Sequence, residues 1–264
     1  MTTEVKDVTP KIAREMLSMN EINRNLNDRH VLFLSKEMKN GNWMFDGSPI
    51  KFSKDGLLLD GQHRLSAIIR SNTTQKFLIV IGISNDAFKV MDTGKLRSSA
   101  DALNIKGVPS YTTVAACAKF ILNNQKGRRW AGGDEKTSTT EIITWYENNK
   151  EIIELIKDGS RLQSLFSNIM TKAPIASWLY LFGEVDSKDA SLFMNKLCTG
   201  LDLEINSPIF LLRKRLTEDK INKYKIPMKD KTALMIKAWN YHRLGKTPKF
   251  LRFSRNTETF PVIK

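Results

Sequence analysis

Cysteine is nearly missing from this chain: Cys117 and Cys198 are the only two among 264 residues. Both sit in apolar surroundings with no partner at metal-ligand spacing. That excludes a disulfide scaffold, and reduced core thiols in a cytoplasmic protein are expected. Histidine is as scarce, and His30, His63 and His242 lack zinc-site spacing. No apolar run approaches the roughly 18 residues of a membrane span, so none is expected. The opening MTTEVKDVTPKIAREM has no basic stretch leading into an apolar one, so no secretory leader is expected. A phosphate-binding Gly-x-x-x-x-Gly-Lys-Ser/Thr run, a Rossmann fingerprint and a serine-hydrolase elbow are all absent.

Positive charge, by contrast, is abundant and unevenly placed. Residues 1–107 hold 16 Lys/Arg against 12 Asp/Glu, residues 108–208 hold 11 against 12, and residues 209–264 hold 15 against 4. Most of the net +14 therefore sits in the last 56 residues. Such a concentration favours polyanions, and nucleic acid is the commonest in a cell.

The local patterns divide the chain into 1–107, a mixed α/β unit, and 108–264, a basic and mainly helical one. An α+β fold follows. Asn27-Asp28 caps a helix with Val31, Leu34 and Met38 on one face and Gly41 as its stop. Ile50 to Ser53 alternates like a strand, Lys54-Asp55-Gly56 turns the chain, and Leu57 to Leu59 returns. A helix is predicted over 62–70. Lys76 to Ser84 is the clearest central strand, and Phe88 to Met91 a shorter candidate. Ser98 or Ser99 caps a helix that Gly107 ends. Beyond it helices are predicted over 112–123, 139–148, 151–157, from Pro174 through Phe182, 190–198, 209–216 and 229–244. No comparable strand signal follows residue 108.

The most informative stretch is Leu57 to Ile69, LLLDGQHRLSAII. It reads as strand, glycine turn and helix. A helix N-terminus presents unpaired N–H groups and partial positive charge, which suit an anion. Gly61 lets the backbone approach an oxyanion, Arg64 can fork onto phosphate oxygens, and His63 can donate to one. Asp60, at the strand end, can hold a divalent metal or orient a hydroxyl. The competing structural reading has Asp60 capping the helix and Arg64 pairing with it. A second loop, Asp92-Thr93-Gly94-Lys95 with Arg97, offers a hydroxyl and two cations to the same phosphates.

Arg29-His30, Gly41-Asn42-Trp43, Gly47-Ser48-Pro49-Ile50, Asp55 to Leu65 and Asp92 to Arg97 together resemble the ParB/sulfiredoxin superfamily. The likeness is to its phage and mobile-element members with a DGQHR motif, and it covers about 80 of the 264 residues. It implies a bound nucleoside di- or triphosphate (CTP or ATP) with Mg²⁺. Gly61, Gln62, His63, Arg64, Thr93, Lys95 and Arg97 would line the site, Asp60 would hold the metal, and Asp60, His63 and Arg64 would be the catalytic group. Sulfiredoxin carries a cysteine where Gln62 stands, so sulfinic acid repair is not implied. ParB's helix-turn-helix is not evident over 108–124, so centromere partitioning is not implied either.

In the basic C-terminal segment Arg213, Lys214, Arg215, Lys246, Lys249 and Arg252 are the candidate nucleic-acid contacts, for DNA ahead of RNA. Phe210, Tyr224, Trp239, Tyr241, Phe250 and Phe253 interleave with them. At helical spacing such rings belong to a core rather than to stacked bases. Lys126, Arg128, Arg129 and Trp130 form a possible second backbone contact or a lid. The expected protein is phage-encoded and cytoplasmic, with a homodimer among its allowed states. If an enzyme, it would be a Mg²⁺-dependent phosphotransferase, NTPase or nuclease. The alternatives are a non-enzymatic DNA-binding regulator and a DNA-base modification enzyme.

Overall fold

A computed structural model describes every residue except 22, 24, 25, 86–97, 128–136, 167, 168, 223 and 224. Its architecture is α+β, a four-stranded mixed sheet with helices and a second, helical unit. The described residues divide into two compact units, one before residue 96 and one after residue 97.

The first unit contains β1 (Thr2–Val8), α1 (Pro10–Leu17), α2 (Asp28–Lys39), β2 (Pro49–Ser53), β3 (Leu58–Asp60), α3 (Gln62–Ser71) and β4 (Gln75–Ile83). The strand order is β1-β4-β2-β3. β4 is internal, antiparallel to β1 and parallel to β2, as its β-branched apolar run requires. β2 and β3 form the expected hairpin, with Gly56 at φ +81° in the turn. The Ser53 hydroxyl accepts the N–H groups of Asp55 and Leu57 and holds that turn closed. Val8, Ala13, Val31, Met38, Ile50, Leu65, Ile68, Phe77 and Ile79 share one core between the helices and the sheet.

β1 and α1 are absent from the sequence reading. β1 is an edge strand that buries Val8 alone, so it lacks the apolar alternation that announces a half-buried strand. α1 starts at Pro10 behind the Thr9 cap, whose hydroxyl accepts from Ile12 N–H. The strand expected at Phe88 to Met91 lies outside the described residues.

The second unit contains α4 (Ser99–Ile105), α5 (Tyr111–Gln125), α6 (Thr139–Asn148), α7 (Ile152–Leu165), α8 (Lys172–Thr199), α9 (Pro208–Ile221) and α10 (Met228–Arg243). No strand occurs after Ile83 among the described residues. Leu103 of α4 joins the helical core, so this helix packs with the second unit. The two helices predicted over 174–198 form one element bent at Asp186, where φ is −158° and ψ is 109°. The Asp186 carboxylate accepts N–H groups of Lys188 and Asp189 and so caps the second half. The bend brings Phe182 and Phe193, one from each half, onto Trp239 of α10. Phe182 stacks on it at 4.3 Å between centroids, and Phe193 meets it edge-on at 5.5 Å. Trp239 is fully buried, the core role expected for it.

Candidate functional site

The DGQHR residues stand where β3 passes into α3. Gly61 is the N-cap of α3 at φ +116°, and no side chain caps this helix end. A Cβ at Gly61 would lie 3.1 Å from both Cγ atoms of Ile50 on β2. The space kept clear by this glycine is therefore filled by core. This corrects the expectation that it admits an oxyanion: Gly61 serves the turn and the close approach to β2.

Asp60 faces two cations. Its Oδ2 lies 3.1 Å from Arg64 Nη2, one turn along α3, and 3.5 Å from Lys51 Nζ across the hairpin. The three side chains are 16 to 25% exposed. The Lys51 contact depends on a β-bulge. Phe52 pairs with Leu58, but Lys51 pairs with Asp60, which leaves Leu59 without an opposite residue. Counting outward from the turn puts Leu59 opposite Lys51, so sequence reasoning missed Lys51. Of the competing structural reading, the Arg64 pairing is present, while the cap is Gly61 and not Asp60.

Gln62 and His63 point elsewhere. The Gln62 side chain is buried, and its Oε1 accepts from Asn20 Nδ2 at 3.2 Å. Asn23 Nδ2 in turn donates to Asn20 Oδ1 and to the Leu58 carbonyl. Gln62 thus ties the segment after α1 to the hairpin and is not a phosphate contact. Neither asparagine belongs to a recognisable pattern, so the sequence held no signal for them. His63 Nε2 accepts the Asn27 N–H at 3.0 Å, which places its proton on Nδ1. Asn27 caps α2 through His30 N–H, and the His63 and His30 rings lie 5.3 Å apart. His63 therefore positions the start of α2. Thr93, Lys95 and Arg97 lie outside the described residues.

Lys51 and Arg64 against Asp60 leave a formal surplus of +1, to which the α3 N-terminus adds about half a charge. The corner suits an anion. It does not suit a resident Mg²⁺, which needs oxygen ligands rather than a single carboxylate oxygen shared by two cations. No group of three His, Cys, Asp or Glu gathers into a metal site among the described residues.

The basic C-terminal segment separates into inward and outward cations. Arg213 donates to the carbonyls of Leu197 and Cys198 and lies 4.6 Å over the Phe166 ring. It closes the C-terminus of α8, a correction to its place among the nucleic-acid contacts. Lys225 does the same for α9 through the Asp219 and Lys220 carbonyls. Lys231 pairs with Asp219, Lys237 with Glu258, Arg243 with Asp186 and Asp189, and Arg255 with Asp230. Lys214, Arg215, Lys246, Lys249 and Arg252 are exposed. Lys126 pairs with Glu141, and Arg128, Arg129 and Trp130 lie outside the described residues.

Comparisons with protein-family models, with curated proteins and with solved structures give no match. No described helix is long and apolar enough to cross a membrane.

Proposed function

We propose that this chain is a nucleotide-binding and nucleic-acid-binding protein of the ParB/sulfiredoxin type, phage-encoded and cytoplasmic. Lys51, Arg64 and the first turn of α3 receive a phosphate group of a nucleoside di- or triphosphate. The outward cations of the second unit, Lys214, Arg215, Lys246, Lys249 and Arg252, contact a nucleic-acid backbone. The observation that carries the first part is the convergence of two partly exposed cations on one carboxylate oxygen beside a helix N-terminus without a side-chain cap. In this arrangement Asp60 holds both cations in place, and a phosphate competes for them with more negative charge than one carboxylate carries.

Binding is favoured over turnover. Asp60 is held by two cations, and His63 Nε2 is engaged by the Asn27 N–H. Neither is poised to take a proton from a nucleophile.

Calorimetric titration of the full chain with each of the four ribonucleoside triphosphates tests the site. Heat of binding is expected for at least one. Lys51→Gln and Arg64→Gln should each weaken it about tenfold or more, the scale of one charge-assisted contact. A chain that binds none of the four, or variants that are folded by circular dichroism and bind like the parent, would overturn the proposal.

A further inference from the structure

We propose that residues 245–252, which follow α10, form a base-stacking platform for single-stranded nucleic acid, with Phe250 as the stacking ring. The inference rests on the nucleic-acid reading above and names the form of polymer that it takes. Phe250 is 67% exposed, the most exposed phenylalanine among the described residues. Its neighbours alternate in and out: Leu251 is buried in the helical core, Arg252 is exposed, and Phe253 packs edge-on against Phe260 at 5.6 Å. Phe250 is thus the ring left outside while the residues around it are anchored.

The segment is held near both ends: Lys246 N–H donates to the Tyr241 carbonyl, and Lys237 Nζ donates to the Arg252 carbonyl. A ring presented on fixed backbone loses little freedom when a base stacks on it. Lys246, Lys249 and Arg252 are exposed in the same segment, and Lys249 Nζ stands 5.7 Å from the Phe250 centroid. No Asp or Glu occurs between Asp230 and Glu258, a stretch that holds seven Lys/Arg. Those two acids are paired with Arg255 and Lys237. An exposed ring with a cation against it, in a segment of outward cations, fits unpaired bases on a phosphate backbone, whereas duplex bases are already stacked and cannot reach a protruding ring.

Fluorescence anisotropy of the full chain tests this with labelled oligothymidylate, oligouridylate, an abasic oligomer of equal length and a duplex. Phe250→Ala should weaken binding to the two base-bearing single strands about tenfold or more, the scale of one stacked base. It should leave the abasic and duplex affinities and the salt dependence unchanged, and Phe250→Trp should retain binding. Replacing Lys246, Lys249 and Arg252 together by Ala should weaken all four. If Phe250→Ala binds every polymer like the parent, the stacking role falls while the nucleic-acid reading stands. If the parent binds none, the reading beneath it falls too.

Discussion

Five consecutive residues, Asp60 to Arg64, have five different neighbours. Successive side chains on a helix diverge by about 100°, so a motif written across its first turn cannot all face one ligand. Gln62 turns into the interior, His63 toward the cap of α2, and Arg64 back onto Asp60. The same letters read as a phosphate corner or as a local packing solution, and by themselves they do not separate the two. Gly61 shows the packing side. Gly61→Ala must place a Cβ against Ile50 at φ +116°, where L residues are strained. It should lower stability by about 1–3 kcal/mol, read as a fall in the urea midpoint at unchanged slope.

At the scale of elements, capping chemistry was the most legible. Ser98 caps α4, one of the two serines expected there, and α6 starts at Thr139 as expected, though its cap is Ser138; reciprocal capping boxes with Asp101 and Glu141 complete both helix starts. The joint between α9 and α10 was not legible. Asp219 is 4% exposed, takes the Ile226 N–H and pairs with Lys231 at 2.6 Å. Burial pushes its carboxyl upward, but the Ile226 N–H, Lys231 and Lys225 outweigh that and hold it below the ordinary 3.8. Its folded value is thus depressed, so its stabilisation is complete above the unfolded value and fades as pH falls through the folded one. Asp219→Asn should cost about 2 kcal/mol at neutral pH. The gap between parent and variant should narrow below about pH 4, as urea titrations at several pH values would register. A gap that stays constant down to pH 2 would contradict this account.

At the scale of the whole molecule, charge separates into work done within the fold and charge left outside. The segment 209–264 carries 15 cations, and several of them close helix ends or pair with the few acids. The five named outward cations still predict a steep salt dependence. The logarithm of the affinity for duplex DNA should fall against the logarithm of salt concentration with a slope of about −4 to −5. A salt-independent affinity would remove the backbone contacts from the proposal.

The sequence by itself determined the α+β class, the central β4, the β2–β3 hairpin, the start of α3 and most helix starts. These depend on periodicity, turn residues and caps, which act within a few positions of the chain. Tertiary structure alone decided that β1 joins the sheet and that a bulge sets Lys51 across from Asp60. It also decided that Gln62, His63 and Arg213 serve packing while Phe250 stays in water. Each outcome depends on which distant residue occupies the space beside a side chain, and local pattern carries no record of that.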